Sequence, residues 1–449
     1  MSLKRIYKQM VPVGVRNRVA GHPWFERLRT QQLVREGERL AAATVAHGAD
    51  GRIHVTFVVQ RLALWCNHAS IYGAMKADPA FAVSVIAIPK RPPAAMDLDL
   101  AEYRRLMKFL DAKGIAYSKG YDSVGRVWIN PLRFGLPDIV FLPQPYAFTQ
   151  SFLYHSPYLK HFCSLAILNY GVTVADMPYM QYELPVYGDC RFIFVESEAH
   201  KELFAAHAPA LADRLYVTGH PKLDAYRDPV PPGLALWKCP RACKRIIWAP
   251  HFTVTDDRTP HTFSNFFEYY DFFLACAREH PDIEFVMRPH PELFEHMVAT
   301  GKRTREEALS YWDRFNALPN GQVYEGAEIF TLFRQSDALI LDSIGFLAEY
   351  APTGKPICFL DSMRRQRLNP IGERLIHSYY VAWNQEEIRE FIQNVVVNGQ
   401  DVRREERLAI VQHHLFMSGE GAGIRIKDLI KQLAPGVKKS MSAGKTSVR

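Results

Sequence analysis

Short apolar runs alternate with helix-length stretches along the whole chain, which predicts an α/β fold of two Rossmann-like domains whose parallel sheets face a central cleft. Two further observations support this. The alternation breaks once, at the proline-rich stretch 227–233 (RDPVPPG), which cannot continue a regular element, and then restarts. The length of 449 residues exceeds one ordinary domain and suits two of ~200 residues each.

In the first half, strands are expected over 53–59 (IHVTFVV), 81–88, 139–142, 165–168, 192–195 and 215–218. These runs are apolar at nearly every position, as strands covered on both faces must be. Helices are expected around 71–77 and over 102–112, where Tyr103, Leu106 and Leu110 share one face. Another opens at Ser197, whose hydroxyl suits an N-cap. After the break, strands are expected over 245–248, 283–287, 338–341 and 356–360. Helices fall over 265–280, over 304–315 and from 346, and the chain from 385 onward reads as mostly helical. The organisation is therefore a basic N-terminal segment (1–50), an N-terminal Rossmann-like domain (51–226), a C-terminal Rossmann-like domain with closing helices (240–435) and a basic tail (436–449), the two domains being those that the resemblance described below implies for acceptor and donor nucleotide respectively.

Composition narrows the function. The 7 cysteines are scattered and odd in number, which suits reduced thiols in the cytoplasm. Cys239 and Cys243 lie close together, but no second pair follows at zinc-site spacing, so no metal is expected. No apolar run is long enough to span a membrane or serve as a secretion signal. The net charge is +8. Lys4, Arg5, Lys8, Arg16, Arg18, Arg27 and Arg29 crowd one end, and Lys438, Lys439, Lys445 and Arg449 the other. Such ends suit either an anionic membrane surface, with the protein peripheral on its inner face, or simple solvation. No nucleic-acid motif accompanies the charge, and nucleic acid is not an expected partner.

In open parallel sheets, ligands bind beyond the carboxyl ends of the strands. Three clusters in the second half occupy such places. Arg288-Pro289-His290-Pro291 fixes an imidazole and a guanidinium at a strand tip, where they can meet phosphate or move a proton. Asp342-Ser343-Ile344-Gly345 joins ALIL to a helix, a suitable seat for a diphosphate, although many helices carry such a cap for their own sake. His251 and Thr253 follow a third strand. No P-loop, dinucleotide fingerprint or nucleophile elbow is present, which removes the best support for kinases, dehydrogenases and serine hydrolases. The pair His413-His414 reads as an exposed helix face.

The order of these clusters resembles the CDP-glycerol glycerophosphotransferase family of teichoic-acid and capsule polymerases. The resemblance runs from about residue 165 to 430, through FIFVESEAHKELF, VTGHPKLD, IIWAPHF, FVMRPHP, SDALILDSIGFLAEYAPTGKPICFLD and SGEGAGIRIKDLI. Two Rossmann-like halves with a short linker are also the GT-B plan shared with sugar-nucleotide epimerases. The resemblance implies that His290 is the C-terminal functional histidine. It also implies that Asp342, Ser343 and Gly345 hold the donor pyrophosphate, that Asp361 is the acidic residue after the last strand, and that Lys355 is structural. Where the family has Trp-His-Gly, this chain has Asn169-Tyr170-Gly171. A phenol is a poor base at neutral pH, and Asp176 is the nearby substitute.

The implied reaction is attack of an acceptor hydroxyl, polyol or saccharide and optionally lipid-linked, on a CDP-activated donor. CMP is released and no further cofactor is needed. Two alternatives remain: a GT-B glycosyltransferase using a sugar nucleotide, favoured by the tyrosine, and a non-catalytic relative that keeps donor binding.

Overall fold

The computed structural model describes residues 23–43, 50–91, 98–146, 151–230, 234–239, 244–254, 263–362, 367–415 and 419–433. The basic residues at positions 4–18, the tail 436–449, Cys243 and the middle of the proline-rich break lie outside them. Among the described residues fifteen strands occur in chain order: β1 (Ile53–Val59), β2 (Phe81–Ala87), β3 (Ser118–Lys119), β4 (Tyr121–Asp122), β5 (Val127–Trp128), β6 (Ile139–Phe141), β7 (Ser164–Leu168), β8 (Phe192–Val195), β9 (Leu215–Val217), β10 (Lys244–Ala249), β11 (Ile283–Met287), β12 (Gly321–Val323), β13 (Ala338–Leu341), β14 (Ile357–Leu360) and β15 (Tyr380–Ala382).

Two sheets result. The first has the order β3-β2-β1-β6-β7-β8-β9 and the second β12-β11-β10-β13-β14-β15, and every pairing within them is parallel. A separate antiparallel pair, β4-β5, lies outside both. The central strands are buried along their length, as the apolar runs require. This is the expected α/β plan of two Rossmann-like domains.

Local signals decide where the helices begin. Ser197 accepts the amide of His200 at the start of Glu198–His207. Thr304 and Glu307 form a capping box at the start of Arg305–Asn316. Helix Leu100–Ala112 buries Tyr103, Leu106 and Leu110 against the first sheet.

The chain also crosses back. Residues 422–433, assigned above to the C-terminal domain, form a helix whose Ile426 and Ile430 lie in the apolar core of the first sheet, with Val55, Phe57 and Ile71. Asp224 holds its start, accepting the amides of Ala422 and Gly423 at 2.8 Å each. The N-terminal helix Pro23–Ala43 packs on the first domain at Gly37, where an added Cβ would meet Phe162 at 2.5 Å and Tyr158 at 2.6 Å. Among the described residues no helix is long and apolar enough to cross a membrane.

Candidate functional site between the two lobes

Strand order in the second sheet sets β11, β10, β13 and β14 side by side, so the segments after them line one edge. Adjacent strands lie about 4.8 Å apart, and side chains from neighbouring tips therefore meet. The His290 amide donates to Pro250 O at 3.0 Å, tying the β11 tip to the β10 tip. The rings of His290 and His251 have centroids 5.2 Å apart.

Asp342, at the β13 tip, is buried, and backbone amides take both of its oxygens: His251 N donates to Oδ1 and Asn265 N to Oδ2, each at 2.6 Å. Burial pushes this carboxyl up to about 7, against the pull of those amides. Asp342 therefore pins two loop ends in place. Thr253 acts similarly: its Oγ1 accepts the Phe263 amide at 3.0 Å and lies 2.8 Å from His251 Nδ1. Ser343 caps helix Ile344–Glu349 by position only, making no side-chain capping bond. At Gly345 an added Cβ would meet none of the described residues within 4 Å, which leaves room beside this turn among them. Asp361, buried at the β14 tip, accepts the Ser362 amide at 2.8 Å. Lys355 closes helix Ile329–Gln335 by donating to the carbonyls of Phe333, Arg334 and Ser336.

The state of His290 follows from its neighbours. Its Nδ1 accepts the Glu292 amide at 3.2 Å, so in the neutral ring the proton sits on Nε2. Burial, then the charges of Arg61, Arg288 and Lys90, push its pKa down to about 3. A neutral imidazole with Nε2–H is a hydrogen-bond donor, suited to a phosphate oxygen. Arg288 is buried, its Nη1 donates to Tyr324 O at 3.2 Å, and its Nε has no partner among the described residues. A buried guanidinium with an unused donor is a natural place for an anion.

Arg61 and Lys90 come from the opposite lobe, just beyond β1 and β2, and were not among the residues expected at the site. Lys90 Nζ lies 3.1 Å from Glu292 Oε1 and Arg61 Nη2 lies 4.0 Å from it, so a C-terminal carboxylate meets two N-terminal cations across the cleft. The available signal was the one used in the second half: polar residues immediately after an apolar strand.

Asp176 is exposed on a segment that bridges the lobes. Its amide donates to Arg367 O at 2.9 Å, and Asn369 N donates to Val174 O at 2.9 Å. The groups whose charges act most on His290 are Arg61, Arg288 and Lys90. Tyr170 lies beneath Lys222, whose Nζ is 6.0 Å from the ring centroid, and its carbonyl accepts from Asn67 Nδ2 at 3.0 Å. Behind it runs a buried network: Tyr187 Oη donates to Asn169 Oδ1 at 2.7 Å, Asn169 Nδ2 to Thr173 Oγ1 at 3.0 Å, and Thr173 Oγ1 to Glu196 Oε1 at 3.1 Å.

Among the described residues, Cys276, Glu279 and His280 are the one group with three metal-type ligand atoms within 4.8 Å. They lie at the far end of a 14-residue helix, about 20 Å from the cluster at its start. Glu279 is also paired with Arg389, and burial pushes the Cys276 thiol up to about 12.

No protein-family model and no curated protein matches the chain. Solved structures do. MnaA of S. aureus, in a co-structure with UDP, is 12% identical with a TM-score of 0.58, covering 86% of this chain and 97% of that one. The UDP-GlcNAc 2-epimerase of Neisseria meningitidis, bound to UDP-GlcNAc, is 14% identical with a TM-score of 0.55, covering 85% and 100%. A variant of the wall teichoic acid polymerase TagF is 12% identical with a TM-score of 0.57, covering 93% and 98%. The chain has a GT-B-like fold. At these identities the likeness establishes architecture, and the chemistry must be argued from the site.

Proposed function

We propose that this protein is a transferase that takes a nucleoside-diphosphate-activated donor. More narrowly, it moves glycerol phosphate, or a related polyol phosphate, from a CDP-linked donor to a hydroxyl acceptor in cell-envelope or capsule polymer synthesis. The observation that carries this reading is the place of Glu292: its amide is held by His290 Nδ1, beside Arg288 on the same strand tip, and its carboxylate meets Arg61 and Lys90 of the other lobe, so a neutral imidazole and three cations gather around one residue. Two phosphates carry spread negative charge and need donors from more than one direction. The TagF structure soaked with CDPG, which is 12% identical with a TM-score of 0.56, lends the donor class its support.

In the proposed step the acceptor oxygen attacks the β-phosphorus. A new P–O bond forms as the bond from that phosphorus to the bridging oxygen breaks, and the bridging oxygen leaves with CMP. His290 Nε2–H, Arg288, Arg61 and Lys90 stabilise the charge that gathers on the phosphoryl oxygens. The acceptor proton passes to a base, for which Asp176, exposed on the bridge between the lobes, is the proposed group. His251 and Ser343 complete the C-terminal wall, and Asp342 and Thr253 hold it in shape.

A second reading keeps the fold and exchanges the donor for a sugar nucleotide, and Tyr170 in place of a histidine favours it. Purified protein incubated with CDP-glycerol, with UDP-sugars and with CMP-sugars, each with a hydroxyl acceptor, separates the two by the nucleotide released. CMP release from CDP-glycerol, lost in His290→Ala with folding intact, supports the first. Release from a sugar nucleotide alone replaces it with the second, and release from none leaves a binding protein.

A further inference from the structure

Glu292 stands where an incoming anion would have to stand. Its carboxylate faces Lys90 at 3.1 Å and Arg61 at 4.0 Å. The two cations are nearly enclosed, with side chains 12% and 13% exposed, whereas the Glu292 side chain is 43% exposed. Enclosed cations need a counter-charge, because water cannot supply the missing solvation. Glu292 supplies it from a helix start on the other lobe, with a side chain solvated enough to swing away. Its main chain acts differently. The Glu292 amide donates to His290 Nδ1 at 3.2 Å and so keeps the proton on Nε2 of a ring that lies within the field of the same two cations. One residue thus prepares one side of the anion site through its backbone and fills the other side with its carboxylate.

We propose that the Glu292 carboxylate is a resident competitor for the phosphate-bearing ligand: it occupies the N-terminal half of the anion site in the free protein and is exchanged for ligand phosphate on binding. This rests on the reading of the Arg61–Lys90–Arg288–His290 cluster as an anion site. Ligand phosphate then replaces one ion pair by another rather than meeting bare cations, and the affinity measured is the difference between the two. Glu292 sets how tightly a diphosphate is held, and hence how readily it is released.

The test is equilibrium binding of inorganic pyrophosphate to the full chain, in wild type, Glu292→Gln, Glu295→Gln, Arg61→Ala/Lys90→Ala, and that double variant combined with Glu292→Gln. Glu295 lies one turn along the same helix and pairs with Arg305 instead, so it reports the effect of removing a charge that does not face the site. Glu292→Gln is expected to bind pyrophosphate about three- to tenfold more tightly, and Glu295→Gln to change it by less than about twofold. In the background lacking Arg61 and Lys90, Glu292→Gln is expected to give no gain. Wild type binding pyrophosphate while Glu292→Gln binds it equally or more weakly overturns the competitor role and leaves the anion site standing. A gain of the same size without the two cations also overturns it. No binding of pyrophosphate by wild type or Glu292→Gln overturns the anion site and the competitor with it.

Discussion

Lys222 Nζ lies 2.7 Å from Glu349 Oε1, and the pair is buried where the lobes meet, with side chains 10% and 5% exposed. Burial alone disfavours the Lys222 ammonium, but the Glu349 carboxylate outweighs it and raises its pKa. Gly171 permits the approach, since an added Cβ there would sit 3.3 Å from Glu349 Oε1. Removing one partner strands the other charge. Lys222→Met or Glu349→Gln alone is expected to destabilise the protein by about 3–5 kcal/mol, and Lys222→Met/Glu349→Leu by clearly less. Urea unfolding of the three variants measures this, and equal losses in the single and double variants contradict it.

Acid stability follows from buried histidines. Burial, then the neighbouring His220, pushes His68 down to about 4, and neither ring nitrogen of His68 has a hydrogen-bond partner among the described residues. Burial also pushes His220 down to about 4. Each folded-state pKa lies below the ordinary value of 6.5, so the unfolded chain binds the proton first. The stability these rings lend is complete above that value and drains away as pH falls toward about 4, by about 2 kcal/mol per ring at pH 5. Asp342, raised to about 7, acts with the opposite sign, gaining stability as pH falls from there toward 3.8. His68→Phe fits the aromatic contact with Phe57, whose ring centroid is 5.6 Å away. Urea unfolding at several pH values is expected to show a smaller loss between pH 7 and 5 than wild type, with stability at pH 7.5 equal or higher.

The closing helix depends on two close contacts. Asp224 accepts the amides of Ala422 and Gly423, and a Cβ on Gly423 would sit 2.5 Å from the Ser70 carbonyl carbon. Asp224→Ala is expected to cost about 1–3 kcal/mol by leaving two buried amides without an acceptor. Gly423→Ala must push the helix off backbone that cannot yield. In both, hydrogen exchange over 422–433 should accelerate before the second sheet is affected; protection unchanged from wild type contradicts the assignment of this helix to the first core.

At the site, Asp342→Asn turns an acceptor of two amides into a group with one acceptor oxygen and a donor facing an amide. The loops bearing His251 and Asn265 are expected to loosen, lowering stability by about 1–3 kcal/mol. Donor affinity should fall with the loss of order in those loops. A stability equal to wild type would mean the carboxyl is not the pin its geometry suggests.

The central strands were legible because a strand covered on both faces must be apolar at each position, as IHVTFVV and ALIL are. Ser118–Lys119, Gly321–Val323 and Tyr380–Ala382 were not: they have only two or three residues, too few to show a pattern, and exist through pairing with a longer neighbour. The return of residues 422–433 to the first core was hidden because its partners Val55 and Phe57 are hundreds of positions away. In the candidate site, His290, Arg288, His251 and Ser343 could be proposed from their places after strands. The same rule reaches Arg61 and Lys90, yet their relevance depends on how two lobes face each other, which no local pattern encodes. Asp342 and Thr253 were recognisable as site residues, but only the fold shows their polar atoms turned toward backbone amides.

The central claim is that both lobes hold the diphosphate. Its most direct measurement is calorimetric binding of CDP and CMP to wild type, His290→Ala and Arg61→Ala/Lys90→Ala. Wild type is predicted to prefer CDP over CMP, and each variant to lose about tenfold or more in CDP affinity, the double variant losing most of the preference as well. CDP bound equally well by wild type and the Arg61/Lys90 variant would contradict the claim.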